Sequence, residues 1–323
     1  MMLNRRDCLT AATSATAAFA LGPSLGLAQY QGEPARRAIP KTGEALPVIG
    51  LGSSATFSEM ARDGEANVLA EVFQAFVDAG GTVFDTAPSY GRGSAEEVAG
   101  QVVNDLGIAD RLFWATKLNT LGFRSAPGEA ASPAAIKAQL DDSFARLGRE
   151  PIDLINVHNV AGMASQFPAL EELKAAGRVR YVGTTSTFKQ QYDDLEQYMH
   201  DYPLDFIGID YAVDNWQDCE ERFFPLAREL GIAVLAYMPF GRTRLWNRVG
   251  DRPVPEFAQA FGVESWAQFF LKFAASHPDV TVVTPATSKP HHMVDNMGAA
   301  YGRMPDAAER RRMIEFVDAL PQA

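Results

Sequence analysis

A closed (β/α)8 barrel in a single domain is the fold this sequence predicts, and three observations carry it. Eight short runs rich in apolar residues alternate with stretches of helical period between residues 48 and 284. Strands that alternate with amphipathic helices build a parallel sheet. Eight such units within roughly 250 residues favour a closed barrel over an open, doubly wound sheet. No GxGxxG follows the first strand, so an open-sheet dinucleotide site is not indicated.

Composition narrows the function classes. The chain has 323 residues, 47% of them hydrophobic, which is ample for a large core. Net charge is -11, and no long Lys/Arg cluster offers a nucleic-acid surface. The acidic balance reads as solubility, not as a partner.

Taken in chain order, the elements begin with a targeting signal. "MMLNRRDCLTAATSATAAFALGPSLGLAQ" sets Arg5 and Arg6 before an Ala/Thr-rich stretch, with small residues at Gly26 and Ala28. It resembles a twin-arginine export signal, with an ordinary secretory signal or a tail as alternatives. The stretch is too short and polar to span a membrane. The expectation is an export signal over 1–28, a linker over 29–38 and one barrel domain over 39–323 in a periplasmic or otherwise exported protein, with the export machinery as a partner. Cys8 belongs to the signal, which leaves Cys219 alone and no internal disulfide.

A hairpin follows, with arms at 39–41 and 46–49 around Thr42-Gly43. The eight strand-like runs are 48–50, 82–85, 112–117, 153–158, 179–183, 206–211, 233–237 and 280–284. Helical patterns fall at 66–79, 94–105, 133–147, 166–176, 188–199, 219–230 and 265–276. Ser132-Pro133 reads as an N-cap with proline at the first helical position, and Gly148 as a C-cap. "AAGRV" closes a helix on Gly177 before the next strand.

The chemistry lies where the apolar runs stop, because active groups of such barrels sit at the C-terminal strand ends. The second run ends on Asp85, "LFWATK" on Lys117 and "DLINVH" on His158; Tyr90 lies in the loop after the second. Each residue alone has a plain structural use, as a helix cap, a solvated lysine, a core histidine or a turn. Together they form a proton-delivery site. A tyrosine, with pKa about 10 in water, donates more readily beside a cation that favours its phenolate. Lys117 supplies that cation, and Asp85 keeps Lys117 charged when buried. His158 can orient a carbonyl oxygen by hydrogen bonding.

"FDTAPSYG", "ATK" and "INVHN", in that order, resemble the catalytic tetrad of the aldo-keto reductase superfamily. "IPKTGEALPVIGLG" resembles that family's barrel plug and first strand, and the likeness extends over 39–319. The resemblance implies a nicotinamide cofactor and carbonyl reduction, or the reverse oxidation of an alcohol. Tyr90 is then the general acid/base, Lys117 and Asp85 tune it, and His158 orients substrate.

The resemblance also implies a cofactor lying across the barrel top. "YVGTTS" nominates Thr185 and Ser186 for the carboxamide. "AYMPFGRTRLW" nominates Tyr237 to stack on the nicotinamide, with Gly241, Arg242 and Arg244 near the pyrophosphate. "TPATSKPHHMVDN" nominates Thr287, Ser288, Lys289, His292 and Asn296 for the adenosine end. NADP(H) is favoured, with NAD(H) admissible. Two positions depart from the family pattern. Gly208 stands where many members carry a glutamine, and His292 where many NADPH-preferring members carry an arginine. Phe57, Phe123, Trp216 and Trp246 are rim aromatics by position, and 119–131 is a substrate-loop stretch. His291-His292 lacks the spaced partners of a metal site.

Three function classes follow. The first is an exported oxidoreductase acting on a small carbonyl or polyol. The second is a cofactor-sensing accessory subunit with weak turnover. The third is a Schiff-base aldolase with Lys117 as nucleophile.

Overall fold

Twelve apolar side chains, among them Ile39, Leu46, Phe113, Leu154, Tyr181, Phe206 and Leu235, form a cluster separate from the larger outer core. Ten of them come from alternate positions of the barrel strands, as the inward face of a barrel requires, and Ile39 and Leu46 come from the N-terminal hairpin. The computed structural model describes residue 30 and residues 32–122 and 129–321. The predicted signal, Phe123 and part of the 119–131 loop lie outside them.

An antiparallel hairpin pairs β1 (Arg36–Ala38) with β2 (Ala45–Pro47). Eight parallel strands follow: β3 (Leu51–Gly52), β4 (Val83–Asp85), β5 (Phe113–Leu118), β6 (Ile152–Val157), β7 (Val179–Ser186), β8 (Phe206–Asp210), β9 (Ala233–Tyr237) and β10 (Val282–Val283). Each pairs with the next in chain order. The sheet closes on itself: Gly50 N–H donates to Val283 O and Val283 N–H to Val48 O, both at 2.9 Å. Parallel bridges Ile49–Val283 and Gly52–Ala286 complete the seam.

The hairpin sits at the end where the strands begin. Ile39 and Leu46 enter the inner cluster, Thr42 and Glu44 bond the Tyr181 hydroxyl near the start of β7, and Lys41 caps Leu204 O just before β8. It therefore plugs the end of the barrel opposite to the C-terminal strand ends.

The helices are α1 (Thr56–Arg62), α2 (Ala66–Asp78), α3 (Ser94–Asp105), α4 (Pro133–Leu147), α5 (Met163–Ala175), α6 (Tyr192–Asp201), α7 (Phe224–Leu230), α8 (Arg244–Val249), α9 (Trp266–Ser276), α10 (Pro290–Gly298) and α11 (Ala307–Asp318). Ser132 caps α4 by accepting from Ala135 N–H, and Gly148 ends it at φ 60°. Phe57, Phe73, Phe84 and Trp114 pack in a chain between helices and sheet, with centroid separations of 5.0–5.8 Å.

Three expectations shift. The hairpin's first arm is 36–38, not 39–41, and so lies inside the stretch expected as linker: Ile39 must turn inward, and its carbonyl accepts the turn's Thr42 and Gly43 N–H groups. Phe57 is not a rim aromatic; it is fully buried against Phe73 and Phe84. The 219–230 helix divides into a π-turn over Cys219–Phe223 and then α7. Pro225, within the first turn of α7, has no N–H for the preceding turn, which widens.

Phe84→Ala should cost about 3–5 kcal/mol, because the surrounding rings cannot collapse into the space left. Urea denaturation checks this.

Candidate active site

Alternation along each strand points Asp85, Lys117 and His158 inward at the mouth opposite the plug, and β4, β5 and β6 are adjacent. All three are buried, at 3%, 2% and 5% exposure. Lys117 Nζ donates to Asp85 Oδ1 at 2.7 Å and to Thr86 O at 2.8 Å. Burial works against the Lys117 ammonium, but Asp85 and then Tyr90 outweigh it, and its pKa rises. Burial raises Asp85, and Lys117 and the Tyr237 hydroxyl oppose that rise.

Tyr90 opens a short turn, Tyr90–Gly93, between β4 and α3. Gly91, Arg92 and Gly93 all have positive φ, so the chain reverses sharply and returns into α3. Glu96, fully buried in the first turn of α3, ties that helix to the strand bearing Lys117. It accepts from Thr116 Oγ1 at 2.6 Å and pairs with Arg146 at 3.2 Å. The Tyr90 ring centroid lies 5.1 Å from Lys117 Nζ and 5.9 Å from the His158 ring. Burial raises the Tyr90 pKa above 10.0, and the charged, hydrogen-bonded Lys117 offsets this only in part. Tyr90 is therefore a protonated phenol at neutral pH, a donor in its resting state.

His158 begins a turn in which Asn159 and Val160 have φ of 56° and 51°. A β-branched residue there is strained. Thr185 Oγ1 holds the turn by accepting Asn159 N–H at 3.0 Å. Burial, and next the charge on Lys117, press the His158 pKa well below 6.5, so the imidazole is neutral.

The residues nominated for the cofactor divide by environment. Thr185 and Ser186 are buried at the end of β7, and Ser186 Oγ donates to Gln191 Oε1 at 2.8 Å. Tyr237, expected as a stacking platform, also donates its hydroxyl to Asp85 Oδ2 at 3.0 Å, a contact that the sequence did not suggest. Arg244 is bound by both oxygens of Asp214 at 2.7 Å, in space left by Gly241, where a Cβ would come within 2.5–2.8 Å of its side chain. Arg242 and Lys289 are exposed and enter no ion pair among the described residues. Lys289 stands at the N-cap of α10, and its N–H donates to Thr287 Oγ1. Ser288 is half-buried and Asn296 buried. His292 is exposed, with its pKa lowered by partial burial, His291 and Lys289, so it is no cation at neutral pH. Among the described residues no His/Cys/Asp/Glu group could hold a metal, and no helix is long and apolar enough to cross a membrane. Cys219 is free and buried.

The chain is thus a closed (β/α)8 barrel with a lysine–carboxylate pair, a tyrosine and a neutral histidine gathered at its mouth. Residues 48–308 match the model of the Aldo/keto reductase family. The chain belongs to that family. It is 29% identical over 216 residues to the aldo-keto reductase YhdN of Bacillus subtilis, covering 66% of this chain and 64% of that one. It is 26% identical over 200 residues to an aldo-keto reductase of Gibberella moniliformis, covering 61% and 59%. Both matches span less than two thirds of the relative's length. A solved aldo-keto reductase from Klebsiella pneumoniae in complex with NADPH superposes with a TM-score of 0.72 at 22% identity, over 90% of this chain and 98% of that one.

The neutral imidazole has a consequence for stability. His158 titrates well below 6.5 when folded, so below the unfolded pKa only the unfolded chain takes up the proton. Stability present at neutral pH is lost as pH falls, by at most about 1.4 kcal/mol per unit for this group. His277, lowered to about 4 by burial, adds to the loss. Urea unfolding between about pH 7 and about pH 5 should show a shallower loss in His158→Gln. An unchanged slope means the folded protein protonates His158 freely.

Proposed function

We propose that this chain is an NADP(H)-dependent oxidoreductase that reduces an aldehyde or ketone, or oxidises the corresponding alcohol, with Tyr90 as general acid/base. The observation that carries the reading is the Tyr90 phenol beside the Lys117 ammonium, itself fixed on Asp85 at 2.7 Å. The residues fit a nicotinamide cofactor. In a chain of net charge -11, the exposed Arg242 and Lys289 stand at the mouth without ion-pair partners among the described residues, available to phosphates. Thr185 and Ser186 would hold the carboxamide, Thr287, Ser288 and Asn296 the adenosine end. The likeness to an NADPH-bound structure supports NADP(H) ahead of NAD(H), with Lys289 supplying the cation that His292 does not.

When bound, the cofactor gives or takes the hydride. The protein's part is the proton. Neutral His158 donates an N–H to the carbonyl oxygen and holds it near Tyr90. As charge grows on that oxygen the phenol gives up its proton, and Lys117 stabilises the phenolate left behind. In the oxidative direction the same phenolate accepts the alcohol proton. A Schiff-base role for Lys117 is disfavoured, because a nucleophilic amine must be neutral and Asp85 holds this one charged.

Titration with NADPH and NADH, followed by protein fluorescence and then a carbonyl and polyol panel, tests the reading. Tyr90→Phe should cut turnover about 100- to 10,000-fold and leave NADPH affinity nearly unchanged. Activity close to wild type ends the assignment of Tyr90.

We also propose that the protein is exported folded, to a periplasm-like compartment, on the strength of Arg5-Arg6 in a signal-like segment and a single cysteine beyond it. Bound cofactor would favour the folded cargo. Replacing both arginines by lysine should retain the protein in the cytoplasm; fractionation showing unchanged export refutes this.

A further inference from the structure

Asp85 is bonded through both carboxylate oxygens. Oδ1 receives Lys117 Nζ at 2.7 Å, and Oδ2 receives the Tyr237 hydroxyl at 3.0 Å from β9, across the barrel mouth. Lys117 Nζ lies between two phenol rings, 5.1 Å from the Tyr90 centroid and 5.3 Å from that of Tyr237. A chain of contacts thus runs from one tyrosine through carboxylate and ammonium to the other. The space for it comes from β8. A Cβ on Gly208 would fall 2.2 Å from Tyr237 Cε2, 2.8 Å from Cζ and 2.9 Å from a Thr185 methyl carbon. No side chain fits at 208 with the ring in this place. The departure from the family pattern at 208 and the unexpected hydroxyl contact of Tyr237 are therefore one feature.

We propose that Tyr237 is a positioning residue of the acid–base site, holding Asp85 as an oriented carboxylate through its hydroxyl, and that Gly208 is the glycine that makes room for it. The proposal rests on the reading of Tyr90 as acid/base. A carboxylate buried to 3% exposure needs donors on both oxygens. Lys117 serves one. Without the second, protonation of Asp85 becomes easier and the charge that keeps Lys117 an ammonium weakens. Tyr237 is suited to the task, since burial and the nearby Asp85 raise its own pKa well above 10.0 and it stays a donor. The groups facing Asp85 are Lys117 from β5, Tyr237 from β9 and Tyr90 from the loop after β4, with His158 and Arg242 beyond them.

Tyr237→Phe keeps the ring and removes only the hydroxyl. Carbon-13 NMR of side-chain carboxyls, with the Asp85 signal identified by its loss in Asp85→Asn, reads the titration without cofactor or turnover. The Asp85 midpoint should rise by about one pH unit. The acid limb of the kcat profile should rise with it, and kcat should fall about tenfold. NADPH affinity should hold, because the ring remains. Gly208→Ala, which forces the ring aside, should move the midpoint in the same direction. An Asp85 midpoint unmoved in Tyr237→Phe overturns the proposal. A wild-type protein that binds NADPH and turns over no carbonyl or alcohol refutes the catalytic reading instead, and leaves the titration to decide the role of Tyr237.

Discussion

The buried pair of Lys117 and Asp85 is the contact on which the mouth of the barrel depends. Neither charge is tolerable alone at that depth, and losing one partner of such a pair costs about 3–5 kcal/mol. Its geometry follows from the sheet. β4 and β5 run parallel with Asp85 opposite Ala115, so Lys117, two residues further on, shares the inward face and reaches back to the carboxylate. Thr86 O takes a second ammonium proton, and the Tyr90 ring centroid lies 5.1 Å from the same group. Tyr237 completes the carboxylate. Tyrosine, lysine and acid are placed by one constraint, that a buried charge be fully bonded.

Much of this is written locally in the chain. A parallel strand buried on both faces reads as an apolar run, and a polar residue at its end is conspicuous; Asp85, Lys117 and His158 are legible for that reason. The helix limits at Ser132-Pro133 and Gly148 are legible because capping is a contact between near neighbours. What stays hidden is contact across the barrel. Tyr237 lies 152 positions from Asp85, and an aromatic residue at a strand end signals a flat ring without saying where its hydroxyl goes. Gly208 reads as a missing side chain until the ring that fills its place is seen. Phe57 has the position of a rim residue, but its neighbours are decided by how α1 and α2 pack. Arg244 is nominated for phosphate by its place in the loop, and its pairing with Asp214, 30 residues earlier, is not visible in the sequence.

Backbone strain gathers at the same mouth. Arg92, Asn159, Val160, Met238 and Arg242 all have positive φ, and all lie in loops that follow strands. Tertiary contacts hold two of these loops. Glu96 ties the segment after Tyr90 to Thr116, and Thr185 ties the turn after His158 to β7. The site is thus stiffened from beside and beneath, by side chains that need not touch a substrate.

The seam of the barrel bears on how the chain reaches this state. Leu51 and Gly52 pair with β4 on one side, and Ile49 and Gly52 bridge Val283 and Ala286 on the other, roughly 230 positions away along the chain. Bringing such distant segments together costs loop entropy, which only a largely assembled sheet repays. A chain emerging from the ribosome holds β3 on one edge of an unfinished sheet until nearly its whole length has been made. Over that interval the backbone of 48–50 presents groups with no strand beside them. In the finished barrel the hairpin just before it covers the end where the strands begin, with Ile39 and Leu46 in the inner cluster, and the one open edge beside residues 49–52 is the place the last strand must take.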